Sequence, residues 1–220
     1  MKTLSLALVT LLLVQSHVFA QMWSVEVFDG NAMGMGTVIA VDDKDIEDGW
    51  RYALVATADH VVDSSTGIKV KFENGRSSSN CTVLGRDKRA DVALIWCKVP
   101  NGTVPLEVGE ESIAEGDMIN FVGRFRRKFS GRASPLVFPD IAWSDVVAIP
   151  GDSGGSVILN GKLVGVISGG MQWAPNPPQR TWPCRTSNLD ALLKLINAAN
   201  NSGRWRGRVN PARKAPQIQS

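Results

Sequence analysis

The segment Pro150–Ser156 constrains this chain most, because it places a serine among glycines between two apolar runs. Glycines adopt backbone turns that a Cβ atom forbids, and they let another chain come close to the Ser153 hydroxyl. The same turn leaves the N–H groups of Gly151 and Ser153 free to point at one spot, as the binding of an oxyanion requires. The segment therefore predicts a nucleophilic serine at the tip of a turn.

A serine hydroxyl is a poor nucleophile unless a neighbouring base removes its proton, and this interpretation requires a histidine. The chain contains two histidines, His17 and His60. His17 lies in a leader segment that we expect to be removed, so His60 is the candidate base. The interpretation holds only if His60 and Ser153 meet in the folded chain.

The first 20 residues have the pattern of a secretory signal. Lys2 supplies the positive start, an apolar run extends from Leu4 to Val14, and Ala20 suits the cleavage position. The alternative is a membrane anchor, but the run is shorter than the about 20 residues that a spanning helix needs. We expect residues 1–20 to be cleaved, and the mature protein to be secreted or periplasmic with no membrane span.

Charge and cysteine content limit the possible partners. The 24 basic and 21 acidic residues leave a net charge of +3, which is too small to indicate a nucleic-acid partner. The three cysteines fit no zinc motif, and the mature chain would have a single histidine as a further metal ligand. We therefore expect no metal and no cofactor. The composition does not indicate an oligomeric state.

Short apolar segments separated by turn residues recur along the chain, and this spacing is typical of an all-β sandwich or barrel. The segments predicted as strands are 23–28, 37–41, 50–57, 67–72, 81–84, 92–99, 118–122, 129–137, 141–149, 156–159 and 163–168.

One segment near the C-terminus is predicted to be helical. Ser187 can cap it, and four apolar residues share one face: Leu189, Leu192, Leu193 and Ile196. We expect an N-terminal unit over residues 21–103, a second unit over 104–186 and the helix over 187–200. Residues 201–220 are rich in arginine, glycine and proline, and they predict a disordered basic tail.

Three motifs resemble those of the chymotrypsin-like, or trypsin-like, serine proteases. They are the serine motif Gly151–Gly155, the histidine motif Thr57–His60 and the aspartate segment Asp91–Ile95, and their order is that family's order. The short connections and Val61 look more like the bacterial high-temperature-requirement branch. The resemblance covers roughly residues 33–170 and implies two packed six-stranded β-barrels followed by a C-terminal helix.

The resemblance also implies a function, that of a secreted serine endopeptidase acting on polypeptide substrates. Ser153 would attack the carbonyl carbon, His60 would take the hydroxyl proton, and Asp91 would orient the imidazole. The N–H groups of Gly151 and Ser153 would bind the oxyanion. Two alternatives remain open: a catalytically silent binding protein on the same fold, and a triad enzyme that acts on esters.

The resemblance places a specificity pocket beside the serine. Its residues would be Val147, Ala148, Ser168, Gly169 and Gly170. Val147 stands where trypsin-like members carry an aspartate, and an uncharged side chain there cannot compensate a buried substrate cation. The sequence therefore predicts cleavage after small or medium apolar residues.

Two departures from the family pattern bear on catalysis. Asp59 directly precedes His60, and a neighbouring carboxylate is expected to raise the pKa of an imidazole. The mature start at Gln21 lacks the Ile-Val-Gly-Gly of zymogen-activated members, which argues against activation by a new N-terminus that pairs with Asp152. The basic run 124–132 is expected to be a solvated hairpin face.

A disulfide between Cys81 and Cys97 is also expected. Each cysteine lies eight residues from Arg89, so a hairpin centred there would place them opposite each other. Cross-strand neighbours are close enough for a bridge. Cys184 would then remain a free or intermolecular thiol.

Overall fold

The described strands form two closed antiparallel barrels. The computed structural model describes residues 23–63, 67–138, 141–170, 183–187, 189–203 and 205. The first barrel has the strand order β1-β2-β3-β6-β5-β4 and closes through pairing of β1 with β4. Its strands are β1 (Ser24–Asp29), β2 (Ala32–Ile46), β3 (Trp50–Thr57), β4 (Ile68–Lys71), β5 (Ser77–Asp87) and β6 (Val92–Pro100).

The second barrel repeats this connectivity, with the order β10-β11-β12-β9-β8-β7 and closure through β7 and β10. Its strands are β7 (Met118–Val122), β8 (Lys128–Phe138), β9 (Ile141–Val147), β10 (Ser156–Leu159), β11 (Lys162–Gly170) and β12 (Pro183–Ser187). A helix, α1 (Leu189–Asn201), follows the second barrel. The predicted fold class, two six-stranded barrels with a C-terminal helix, is confirmed.

Two stretches differ from the strand prediction. Strand β12 was not predicted, because a short segment with a proline and polar residues shows no apolar alternation. Strand β2 begins five residues before the predicted segment 37–41, inside a glycine-rich stretch. Its Gly36 lies where a Cβ atom would come within 2.7 Å of a Val55 methyl group, so this glycine serves close packing rather than chain reversal.

Alternate residues of the central strands enter different cores, as the two-residue period of a strand dictates. In β6, Ala93 and Ile95 pack inside the first barrel, whereas Val92 and Leu94 face a second cluster shared with β11 and α1. Both faces are therefore buried, which explains why this strand is continuously apolar rather than alternating. A third cluster fills the second barrel around Phe121.

Helix α1 packs its apolar face on the outside of the first barrel and on β11. Its contacts are with β5, β6 and β11, and Leu192 and Ile196 are buried in the cluster that the two barrels share. The predicted cap, Ser187, lies two residues before the helix. It ends β12, and its hydroxyl oxygen accepts the N–H of Val166 at 2.9 Å.

The predicted disulfide is absent, and the structure corrects it. Cys81 and Cys97 are both buried free thiols. The strand register behind the prediction is nevertheless present, because Thr82 lies opposite Trp96 and each cysteine is the next residue outward. A hydrogen bond with Cys81, together with burial, raises the pKa of the Cys97 thiol well above its usual value.

Several predicted features lie outside the described residues. They are the signal segment 1–20 and almost all of the tail 201–220. In the part of the chain that is described, no helix is both long and apolar enough to cross a membrane. No group of three or more metal-binding side chains occurs there either.

The contact of α1 with the barrels predicts a large stability effect at Leu192, whose side chain is fully buried. Leu192→Ala should lower the free energy of unfolding by about 2–5 kcal/mol, because it removes apolar contacts and leaves a cavity. Chemical denaturation measures the change. Lys194→Ala, at an exposed position of the same helix, is the control and should change stability by less than about 0.5 kcal/mol. Equal effects of the two substitutions would contradict the packing described here.

Candidate active site

The histidine lies on a short 3₁₀ turn, Asp59–Val61, that follows strand β3. Its flanking residues Ala58, Val61 and Val62 are buried in the core of the first barrel, whereas His60 is exposed. Apolar anchors on both sides therefore hold the turn in place and leave the imidazole at the surface.

Asp91 contacts both the backbone and the ring of His60. Its carboxylate accepts the His60 N–H at 3.0 Å and lies 2.8 Å and 3.0 Å from the ring Nδ1. Asp91 stands at the end of the β5–β6 hairpin turn with a φ of 53°, a left-handed conformation that aspartate tolerates better than most residues. The Ser168 hydroxyl donates a further short hydrogen bond to the same carboxylate.

These contacts shift the pKa values of both Asp91 and His60. Burial alone would raise the pKa of Asp91, but hydrogen bonds from His60 and Ser168 outweigh it and hold that pKa below its usual value. The hydrogen bond with Asp91 is the main cause of the raised pKa of His60, and the charges of Asp91 and Asp59 add to it. Burial and the charge of Arg185 act in the opposite direction. The carboxylate thus stays ionised and stabilises the imidazolium.

The serine turn lies directly against β2 and the end of β3, the strand that precedes His60. The carbonyl oxygen of Ser153 accepts the N–H of Met35 at 2.7 Å. Gly154 has a φ of 81°, and a Cβ atom there would lie 2.0 Å from the Met35 oxygen and 2.4 Å from the Thr57 hydroxyl. Only glycine fits this position, which explains the glycine that follows the serine.

A second glycine brings the serine and histidine segments together. A Cβ atom on Gly34 would lie 2.6 Å from both the Ser153 carbonyl oxygen and a methyl group of Val61, the residue after His60. The two predicted segments therefore meet. Within the described contacts, the His60 ring bonds to Asp91 and no hydrogen bond joins it to the Ser153 hydroxyl. Hydrogen bonds of this kind commonly tighten only when substrate binds.

Asp152 stabilises the serine turn from the interior of the protein. Its fully buried carboxylate accepts the N–H of Ile149 at 2.9 Å and the N–H of Arg124 at 2.7 Å. It also pairs with the Arg127 guanidinium at 2.6 Å. Asp152 therefore carries a compensated charge that ties the turn to the loop before β8.

Gly151 completes the turn with a φ of 93°, which an L side chain rarely adopts. Among the described residues, no acceptor is recorded for the N–H groups of Gly151 and Ser153, whereas the N–H of Gly154 donates to Ile167 at 2.6 Å. Two unused donors beside the serine are what the binding of an oxyanion requires.

The predicted pocket residues lie at the end of β9, at the end of β11 and just before the serine turn. Val147 ends β9 and is partly buried, and Ala148 is buried. Gly169 and Gly170 end β11, and open space lies where a side chain of Gly169 would be. Ser168 belongs to the same strand, but its hydroxyl is engaged by Asp91.

The roles of two arginines were not predicted. Arg127 belongs to the run that was predicted to be solvated, yet it pairs with buried Asp152. Arg86 pairs with Asp59, which had been considered only for its effect on the pKa of His60. The aspartate directly before the serine was a signal for the first pair, because a buried carboxylate requires a compensating cation.

The strength of the Asp91 contact can be measured directly. Asp91→Asn should lower the pKa of His60, because it removes the carboxylate that is the main cause of the raised value. Ring-proton NMR across a pH series gives the titration, with the His17 signal assigned separately. Glu107→Gln, at an exposed position between the two barrels, is the matched control and should leave the titration of His60 unchanged. An unmoved titration in Asp91→Asn would contradict the contact.

Comparison with known proteins adds a family model and several relatives. A model described as a trypsin-like peptidase domain matches residues 34–166. The periplasmic serine endoprotease DegP of Escherichia coli strain K12 is 31% identical over an alignment of 152 residues, which covers 61% of this chain and 29% of that protein. A probable serine protease do-like of Buchnera aphidicola is 28% identical over 149 residues, with the same coverage. The chain thus spans 29% of the length of these relatives.

A solved structure shows the same architecture. The serine endoprotease from Yersinia pestis matches with a TM-score of 0.60 at 18% identity, over 83% of this chain and 64% of that one. A likeness at this identity supports the fold, and the site is argued from its own residues.

Proposed function

This chain belongs to the family of trypsin-like peptidases, and we propose that it is a serine endopeptidase that uses Ser153, His60 and Asp91. The observation that carries the proposal is the meeting of the serine turn with the His60–Asp91 pair across the two barrels. The relatives named as serine endoproteases support the same activity.

The proposed reaction follows from the placement of each group. The Ser153 Oγ attacks the peptide carbonyl while His60 Nε2 takes its proton, and the N–H groups of Gly151 and Ser153 bind the resulting oxyanion. His60 then gives the proton to the leaving amine as the C–N bond breaks. Water, deprotonated by the same imidazole, hydrolyses the acyl-enzyme and releases Ser153.

Asp91 and Asp152 support this reaction without entering it. Asp91 accepts a hydrogen bond from the Nδ1–H group, so that Nε2 of the neutral ring is the basic nitrogen. Asp152 and Arg127 hold the turn that aims the oxyanion donors. The proposed location is the periplasm or the exterior, which the signal pattern of residues 1–20 and the periplasmic DegP support.

The nucleophile can be tested by substitution and by labelling. Ser153→Ala should lower kcat for peptide hydrolysis by at least about 10⁴-fold, because no other hydroxyl can form the acyl intermediate. A fluorophosphonate should label the unmodified chain at Ser153, and circular dichroism checks that the variant is folded. Ser112→Ala, at an exposed loop position, should remain active. A folded, unmodified chain that takes no label would instead favour a catalytically silent binding protein.

We also propose a preference for cleavage after small or medium apolar residues. Val147 offers no negative charge to compensate a substrate cation, and the Arg127 guanidinium, 3.3 Å from the Val147 carbonyl oxygen, is already paired with Asp152.

Profiling with a peptide library tests this preference. Substrates with alanine or valine before the scissile bond should have kcat/KM values at least about tenfold above those with arginine or lysine. Comparing kcat/KM for these peptides with kcat/KM for esters of the same sequence distinguishes a peptidase from an enzyme that acts on esters. A clear preference for basic residues would show that the pocket lies elsewhere.

A further inference from the structure

Arg86 in strand β5 donates hydrogen bonds to the turn that carries His60. Its Nε donates a short hydrogen bond to the Asp59 carboxylate, and its two terminal nitrogens reach the carbonyl oxygens of Asp59, at 3.3 Å, and Asp63, at 3.2 Å. One guanidinium thus contacts the chain both before and after the histidine. The planar fork of arginine suits such divided contacts, whereas lysine has only a point charge.

The same hairpin supplies both contacts to this turn. Arg86 lies opposite Ala93 in the β5–β6 pairing, and Asp91, at the beginning of β6, holds the His60 ring and N–H. A cation and an anion from one hairpin therefore fix the turn from two directions. The backbone oxygens that Arg86 binds are not part of the triad, so this contact is additional to it.

Arg86 also compensates a charge beside the imidazole. Asp59 is only 7% exposed and directly precedes His60. The other charged groups that act on His60 are Asp91 and Arg185, while Asp29 and Asp63 act with Asp59 on Arg86. Without Arg86, a buried carboxylate next to the base would lose its ion-pair partner, and such an unpaired charge favours the protonated imidazole.

We propose that Arg86 is a positioning residue for His60. Arg86 holds the turn that carries His60, and its positive charge compensates the charge of Asp59. This inference rests on the proposed function, because it assigns Arg86 a part in preparing the base of that reaction. Arg86 does not touch the substrate, so its effect should reach the reaction only through the geometry and the protonation of the ring.

The first experiment compares Arg86→Gln with Lys88→Gln, an exposed position of the same hairpin. We expect Arg86→Gln to lower kcat/KM by roughly ten- to a hundredfold, as displacement of a catalytic group does. The acid limb of its pH profile should move to higher pH, because the unpaired Asp59 raises the pKa of His60 and the neutral base then forms only at higher pH. The control should change neither quantity.

A second measurement does not depend on turnover. Ring-proton NMR of His60 should show a raised titration midpoint in Arg86→Gln and a lowered one in Asp59→Asn, which removes a charge that raises it. An Arg86→Gln variant that is folded but has an unmoved midpoint and an unmoved acid limb would overturn the inference. Failure of the unmodified chain to hydrolyse any peptide would contradict the proposed function and leave this NMR test intact.

A double variant covers the case in which Arg86→Gln does not fold. Asp59→Asn combined with Arg86→Gln leaves no unpaired buried charge, and it is compared with Asp59→Asn alone. We expect the double variant to have the lower kcat, because the two backbone oxygens lose their donor. Equal kcat values in the two proteins would overturn the positioning role.

Discussion

The hydrogen bond from the Met35 N–H to the Ser153 carbonyl oxygen joins a strand of the first barrel to the serine turn of the second. The proposed nucleophile and base belong to different barrels, so the distance between them depends on how closely two backbones approach. Gly154 and Gly34 make that approach possible, since a Cβ atom on either would collide with the opposite segment. The geometry of the site is therefore set by the absence of side chains at two positions as much as by the reactive groups themselves.

The two residues proposed to react share an arrangement. Each directly follows an aspartate, Asp59 before His60 and Asp152 before Ser153, and each aspartate turns its carboxylate into the protein. Each carboxylate pairs there with an arginine, Arg86 in one case and Arg127 in the other. Burial of an acid is tolerated when a cation and N–H donors compensate it. The paired charges stabilise the backbone that carries the proposed base and nucleophile.

Local motifs made much of this site predictable, and distance along the chain limited the rest. The segments carrying His60, Asp91 and Ser153 could be recognised because their chemistry lies within a few residues, and β-strand alternation indicated the barrels. The pairs of Asp59 with Arg86 and of Asp152 with Arg127 join residues 27 and 25 positions apart. The spacing of apolar residues along the sequence does not indicate which arginine of a basic run pairs with a buried acid.

Strand prediction failed for a similar reason at β12, whose position in the second barrel comes from pairing with β9 and β11 rather than from its own residues. For the cysteines, the hairpin centre gave the right register, but proximity does not determine whether two thiols are oxidised.

The pairing of Asp152 with Arg127 also couples the serine turn to a second loop. Because the cation belongs to the loop that leads into β8, a displacement of that loop would remove the charge that compensates the buried acid beside Ser153. The shape of the proposed active site therefore depends on a loop that carries none of the proposed reactive groups.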